Sequence, residues 1–227
     1  MKYKYLLFDL DDTILDFEAN EIESLTRLFE LHGILFTEEV FHTYTTVNRK
    51  LWDAYEKSEI PLETVLNNRF SETLTILSKE GNGAEWEKTY RQFLSEGSHM
   101  MEGALEICQQ LSNTHRLFIV TNGVTTTQIN RLKISGLYEY FETIFTSQEI
   151  GFQKPSIEFF NYVTNHIKNF DRSKALIIGD SLSTDIKGGN LAGIHTCWMN
   201  PKHKENKEHI PFNYMITNLY ELLTLIQ

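Results

Sequence analysis

Short apolar runs alternate with helical patterns along the chain, and this alternation restricts the fold more than any other feature. Helical patterns at 126–137, 155–167 and 183–193 separate the later apolar runs. Strands that alternate with helices form a parallel sheet covered by helices on both faces, so we predict an α/β fold. The apolar runs are YKYLLFDL (3–10), RLFIVTN (116–122), TIFTS (143–147), KALIIGD (174–180) and HTCWMN (195–200).

One long segment breaks this alternation. From about residue 17 to residue 99 the sequence has helical periodicity and no convincing strand, and glycines and a proline divide it into four helices. We therefore predict a core domain of residues 1–16 and 100–227, with an all-helical cap of residues 17–99 inserted after the first strand. The insertion begins directly after an acidic cluster, where the hinge of a lid belongs.

That acidic cluster raises the question of why an apolar strand should end in carboxylates. Asp9, Asp11 and Asp12 follow the first apolar run, and a surface turn is one explanation, since acidic residues are common at strand ends. The other explanation is a binding site, because ligands of open parallel sheets bind beyond the carboxyl ends of the strands. Polar residues follow the other predicted strands too: Thr121, Asn122, Lys154, Asp180 and Asp185.

These residue types suit phosphoryl transfer. Carboxylates such as Asp9, Asp180 and Asp185 are ligands that Mg²⁺ prefers, with Mn²⁺ as an expected substitute. Asp9 could also attack phosphorus as a nucleophile, and Asp11, two residues on, could exchange a proton with the leaving oxygen and with water.

Residues after the second and third predicted strands supply the complementary positive and polar groups. The Thr121 hydroxyl and the backbone amides from Asn122 onward can donate to phosphoryl oxygens. Lys154 provides a point charge for both the phosphate and the nucleophile. The strand ends therefore predict one site with a nucleophile, a metal and a phosphate-binding set.

Composition excludes several other classes of function. The formal net charge of −10 is a poor match to sequence-independent nucleic-acid binding, which relies on basic patches. No segment approaches the roughly 20 apolar residues that a membrane span needs, so we expect a cytoplasmic protein without membrane contact. The sequence leaves the oligomeric state open.

Four motifs in order resemble the haloacid dehalogenase superfamily of phosphohydrolases. They are DLDDT at 9–13, TNG at 121–123, GFQKP at 151–155 and GDSLSTD at 179–185. The resemblance implies a Rossmann-like core with a C1-type helical cap, Asp9 as nucleophile and Asp11 as acid and base. It also implies Mg²⁺ held by Asp9, the Asp11 carbonyl and Asp180, with Asp185 as a further carboxylate at the metal. True dehalogenases of the superfamily lack the second carboxylate, so Asp11 favours phosphate chemistry.

Polar residues interrupt the apolar stripes of the predicted cap helices. Asn48 lies on the stripe of the second helix, Trp52 follows one turn later, and Arg69 interrupts the third helix. One interpretation is an arginine at the stripe edge that reaches solvent or pairs with Glu63 or Glu72. The other is that Asn48, Trp52 and Arg69 contact the leaving group, as an aromatic ring, an amide and a guanidinium would suit a nucleobase.

The cap segment VNRKLWDAYEKSEIPLETVLNNRF (47–70) also resembles bacterial pyrimidine 5′-nucleotidases of this superfamily. The resemblance implies a Mg²⁺-dependent phosphomonoesterase that acts on nucleoside monophosphates through an aspartyl-phosphate. Two alternatives stay open. One is a sugar-phosphate or phosphoglycolate phosphatase, or a phosphomutase, of the same superfamily. The other is a catalytically silent binding module on the same fold.

Overall fold

Strands of the core form one parallel sheet within residues 2–226, the part of the chain that this computed structural model describes. The strands are Tyr5–Phe8 (β1), Arg116–Thr121 (β2), Thr143–Thr146 (β3), Ala175–Gly179 (β4), His195–Met199 (β5) and Tyr214–Ile216 (β6). Their order across the sheet is β3-β2-β1-β4-β5-β6, and every neighbouring pair is parallel. The predicted α/β class is confirmed.

The last strand, β6, was not among the predicted ones. It has three residues, which is too short for a periodic pattern, and it adds to the sheet edge with Cys197 opposite Tyr214. The central strands β1 and β4 are buried along their whole length. Burial on both faces explains why these sequences are continuously apolar rather than alternating.

The chain forms two compact units, which we call the core and the cap. The core comprises Met1–Phe17 and Ser98–Gln227, and the cap comprises Glu18–Gly97. Helices of the cap segment are Phe17–Leu31 (α1), Glu38–Glu56 (α2), Leu62–Ile76 (α3) and Gly83–Glu96 (α4). Helices of the core are Ala104–Ser112 (α5), Thr125–Ile134 (α6), Ser147–Ile150 (α7), Ile157–His166 (α8), Lys187–Leu191 (α9) and Glu221–Leu225 (α10).

Side chains of the central strand alternate between two apolar clusters, one on each face of the sheet. Leu6 and Phe8 belong to the cluster that α5, α6 and α10 cover, whereas Tyr5 and Leu7 belong to the cluster that α8 covers. Helices therefore cover both faces, as the parallel sheet requires.

The strand order reverses between β1 and β4, and this point determines where a ligand can bind. Phe8 lies opposite Ile178, and the Asp9 N–H continues the ladder by donating to the Ile178 carbonyl at 2.8 Å. In open parallel sheets the crevice at such a reversal is the usual binding site. The residues that follow β1 and β4, Asp9 and Asp180, therefore leave the sheet side by side.

The cap has its own buried polar network, in addition to an aromatic core that includes Tyr44 and Phe70 with ring centroids 5.2 Å apart. Arg69 of α3 is only 3% exposed, and it donates to both carboxylate oxygens of Glu87 on α4, at 2.6 and 2.8 Å. It also donates to the Asn48 side chain of α2 at 3.3 Å.

The network extends to the first cap helix. The Asn48 amide donates to Glu21 at 3.4 Å, and the Tyr90 hydroxyl donates to the same carboxylate at 3.2 Å. One chain of polar contacts thus joins all the cap helices from α1 to α4. One interpretation of the sequence paired Arg69 with Glu63 or Glu72, and that pairing is wrong. Glu87 is the partner, because α4 packs against α3 and brings its carboxylate within hydrogen-bond distance of the Arg69 guanidinium.

The cap network predicts a large difference between two arginines. Arg69→Met should lower the free energy of unfolding by about 3–5 kcal/mol, because it leaves the Glu87 carboxylate buried without its fork of donors. Arg27→Met is the matched control. The side chains of Arg27 and its partner Glu96 are 41% and 43% exposed, so this ion pair should contribute under about 1 kcal/mol to the free energy of unfolding. Denaturant unfolding measures both, and equal small losses would show that the network does not stabilise the cap.

Candidate active site

A buried lysine lies at the centre of the site. The Lys154 ammonium is 2% exposed and donates to Asp9 Oδ1 at 2.6 Å, to Asp185 Oδ1 at 2.6 Å and to the Val120 carbonyl at 2.8 Å. These three acceptors use all three hydrogens of the ammonium group. The loops after β1, β3 and β4 are therefore tied together through one side chain, and the Lys154 charge offsets part of the acidic cluster.

The carboxylates predicted as metal ligands come together. One oxygen from each of Asp9, Asp180 and Asp185 lies within 4.8 Å of the others. Asp185 is held on both sides, since its Oδ2 accepts from the Ser181 N–H at 3.2 Å while its Oδ1 accepts from Lys154. Three converging hard oxygen donors fit Mg²⁺, which keeps several waters and needs few protein ligands.

The electrostatics of this cluster favour an added cation. Burial raises the pKa of the Asp9 carboxyl well above its usual range; Lys154 opposes the rise, and Asp185 adds to it. The pKa of Lys154 is also raised, because the two carboxylates outweigh the effect of burial, so the lysine stays charged. Burial first, and then the Asp185 charge, raise the pKa of Asp180 to about 6. The ammonium groups of Lys154 and Lys204 do not neutralise three carboxylates, and the excess negative charge is what a divalent ion would balance.

Asp11 is held by two side chains that the sequence analysis missed. Arg131 forms an ion pair with Asp11 Oδ1, and the Gln128 amide donates to Asp11 Oδ2 at 2.7 Å. Both come from α6, more than 100 residues further along the chain. The available signal was a pair of polar residues three apart on one helix face, which also fits a solvent-facing stripe.

The loop after β2 positions the predicted phosphate-binding residues. The Thr121 hydroxyl accepts from the Gly123 N–H at 3.1 Å and from the Gln128 amide at 3.0 Å. The Asn122 side chain accepts from the Lys154 N–H at 2.8 Å and donates to the Lys154 carbonyl at 3.0 Å. Asn122 thus fixes the backbone of Lys154, which fixes in turn where its ammonium can reach.

A second lysine that the sequence analysis missed lies at the edge of the cluster. Lys204, in the segment after β5, donates to Asp180 Oδ2 at 3.2 Å. The indole of Trp198 donates to the Asp180 carbonyl at 2.9 Å, which fixes the backbone at the end of β4. Lys204 was missed because it belongs to an irregular charged segment, NPKHKENKEH, with no motif of its own.

The three residues predicted to contact a leaving group have different environments in the cap. Asn48 and Arg69 are buried in the network with Glu87. Trp52 is half-buried and packs edge-on against Tyr55, with ring centroids 5.6 Å apart.

The model of the haloacid dehalogenase-like hydrolase family matches residues 6–199. The HAD-hydrolase YfnB of Bacillus subtilis (strain 168) is 47% identical over 99% of this chain and 96% of its own length. Its crystal structure, bound to magnesium, superimposes with a TM-score of 0.95 and covers 100% of this chain and 99% of that one.

Two further relatives carry an activity in their names. The pyrimidine 5′-nucleotidase PynA of Streptococcus pneumoniae (strain ATCC BAA-255 / R6) is 37% identical, over 98% of this chain and 94% of its own. The pyrimidine 5′-nucleotidase YjjG of Escherichia coli (strain K12) is 31% identical, over 100% of this chain and 99% of its own.

None of the helices in residues 2–226 is long and apolar enough to cross a membrane. The predicted superfamily is confirmed: the chain belongs to the haloacid dehalogenase-like hydrolases and is a phosphoric monoester hydrolase.

Proposed function

We propose that this hydrolase is a Mg²⁺-dependent 5′-nucleotidase that acts on pyrimidine nucleoside monophosphates through an aspartyl-phosphate intermediate. The observation that carries the proposal is the Asp9 carboxylate, held at 2.6 Å by the Lys154 ammonium in a cluster with Asp180 and Asp185. The two pyrimidine 5′-nucleotidases at 37% and 31% identity support the choice of substrate.

In the proposed first step, a carboxylate oxygen of Asp9 attacks phosphorus and the bond from phosphorus to the ester oxygen breaks. Asp11 gives a proton to the leaving oxygen. Thr121 and the backbone amides that follow it, including that of Asn122, donate to the phosphoryl oxygens, while Lys154 balances their charge. Lys154 also fixes the direction of the Asp9 side chain. Its other two hydrogens bind the Val120 carbonyl and Asp185, so the ammonium is held in place and donates to Asp9 from one direction.

In the proposed second step, Asp11 takes a proton from water, and the water oxygen attacks phosphorus of the aspartyl-phosphate. The bond from phosphorus to the Asp9 oxygen breaks, which restores the carboxylate and releases phosphate. The metal would be held by Asp9, the Asp11 carbonyl, Asp180 and Asp185. Mg²⁺ in that position supplies positive charge to the phosphoryl oxygens during transfer.

For the leaving group, we propose Trp52, Asn48 and Arg69 of the cap as the residues that distinguish a nucleoside from other alcohols. The half-buried Trp52 ring offers a stacking surface. Asn48 lies one helical turn before Trp52 on α2, and its side-chain oxygen accepts from the Arg69 guanidinium at 3.3 Å, which fixes the amide.

A phosphate-release screen over nucleoside monophosphates, sugar phosphates and phosphoglycolate tests the substrate. We expect the highest kcat/KM for deoxyuridine, thymidine or uridine 5′-phosphate, and preference for a sugar phosphate would contradict the nucleotidase proposal. Asp9→Asn is the control, because an amide cannot form the acyl-phosphate, and activity should fall by on the order of 10⁴-fold or more.

The same screen tests the cap. Trp52→Ala should reduce kcat/KM for the preferred nucleotide by roughly 5- to 150-fold, the value of a stacking contact of about 1–3 kcal/mol, and leave p-nitrophenyl phosphate nearly unchanged. An unchanged ratio in folded protein would assign Trp52 to packing of the cap alone.

Metal binding should appear in stability as well as in activity. Mg²⁺ at 100 times its dissociation constant should stabilise the protein by about 2.7 kcal/mol, or raise Tm by about 5–10 °C. Asp180→Asn should remove most of that shift. Asp171→Asn, the same change at a solvent-exposed aspartate elsewhere in the core unit, should retain it. A full Mg²⁺ shift in Asp180→Asn would contradict the proposed ligand set.

A further inference from the structure

We propose that Arg131 and Gln128 are positioning residues that hold the Asp11 carboxyl for proton transfer to the leaving oxygen. This inference rests on the proposed role of Asp11 as acid and base. Neither residue belongs to the four motifs at the strand ends, and both lie on α6. Each contacts a different oxygen of Asp11, so together they determine both the place and the orientation of the carboxyl plane.

Arg131 is a buried cation that pairs with Asp11. Its side chain is 1% exposed, and Nη1 donates to Asp11 Oδ1 and, at 3.0 Å, to Gln128 Oε1. The guanidinium lies over the Phe17 ring, 5.5 Å from its centroid, and its Nε has no hydrogen-bond partner among the described residues. Burying an arginine is costly unless it is paired, and Asp11 is a carboxylate that compensates this cost.

Gln128 connects Asp11 to the proposed phosphate-binding loop. The single Nε2 atom donates both to Asp11 Oδ2 at 2.7 Å and to the Thr121 hydroxyl at 3.0 Å. Its Oε1 accepts from Arg131, so the amide cannot flip without losing these contacts. The proton donor and the phosphate-binding hydroxyl therefore share one support, which fixes their separation.

The glycine of the second motif gives independent support for this arrangement. A Cβ atom at Gly123 would lie 2.3 Å from Gln128 Nε2 and 2.6 Å from its Cδ, well inside van der Waals contact. The absence of a side chain at Gly123 is what leaves room for the Gln128 amide beside Thr121. Gly123→Ala should therefore displace Gln128 and loosen Asp11 without changing any polar group.

Positioning matters here because the Asp11 side chain is 28% exposed and would otherwise rotate towards water. Proton transfer requires a donor within hydrogen-bond reach of the departing oxygen, and small displacements reduce its contribution steeply. An ester whose leaving group is already a weak base needs no proton. Loss of Arg131 or Gln128 should therefore affect esters according to the basicity of the leaving oxygen.

A series of substituted phenyl phosphates isolates this effect, since the ring stays the same while the acidity of the phenol changes. For Arg131→Met and Gln128→Met we expect kcat/KM for phenyl phosphate to fall by about 10- to 100-fold, part of the ~10²–10⁴-fold that acid–base catalysis supplies. For 2,4-dinitrophenyl phosphate the change should stay within about 3-fold in Arg131→Met. Gln128→Met also loses the contact with Thr121, so its loss on this ester is larger but still roughly 10-fold smaller than on phenyl phosphate. In plots of the logarithm of kcat/KM against the pKa of the phenol, the variants should show a steeper decline than the wild type.

Controls separate positioning from folding. Lys133→Met changes an exposed cation on the same helix and should leave the slope unchanged. Arg131→Lys keeps the charge and should restore part of the phenyl phosphate activity. Should Arg131→Met fail to fold, Gln128→Met and Gly123→Ala carry the same test. The Mg²⁺ concentration for half-maximal activity should be unchanged, which excludes a shift of the Asp11 backbone.

The outcomes are distinguishable from those of the proposed function. A wild-type protein that releases no phosphate from any ester of the series would overturn the proposed function itself. An active wild type whose folded variants lose equal activity on every ester, with an unchanged slope, would overturn the positioning roles and show that Arg131 and Gln128 only support the fold.

Discussion

The contact of the buried Lys154 ammonium with Asp9 and Asp185 is the interaction on which the rest of the core site depends. Both carboxylates approach at 2.6 Å, and the Val120 carbonyl accepts the third hydrogen. Without this cation the end of β1 would place Asp9 in a buried environment beside two further acids, which is unfavourable by several kcal/mol. The lysine thus permits the acids to gather, and its one charge leaves an excess that suits a divalent ion.

A buried arginine, Arg69, lies at the centre of a polar network in the cap, and its surroundings differ from those of the buried Arg131 in the core. Arg69 joins α3 to α4 through Glu87 and to α2 through Asn48, and all three side chains are buried. Arg131 instead pairs with Asp11, whose carboxyl is partly exposed. A buried cation paired with an accessible carboxylate is an arrangement that packing alone does not require, and it places α6 in support of the proposed chemistry.

The sequence predicted the parallel sheet and the meeting of Asp9, Asp180 and Asp185, because strand ends of a parallel sheet share one edge and the motifs mark those ends. It could not predict the partners of Asp11 or Arg69. Arg131 and Gln128 are far from Asp11 along the chain, and Glu87 lies 18 residues from Arg69 on another helix. Such pairings depend on how helices pack, which local periodicity does not encode. The strand β6 was missed for a different reason, since three residues cannot show a period.

The central claim is that the phosphoryl group is transferred first to the Asp9 carboxylate and then to water. The stereochemical course at phosphorus tests that claim most directly. A phosphorothioate ester of the substrate, made chiral with oxygen isotopes, would be hydrolysed in isotope-labelled water and the configuration of the product determined. Two successive in-line displacements, at Asp9 and then at water, predict overall retention. Inversion would mean a single direct attack by water and would contradict the aspartyl-phosphate mechanism.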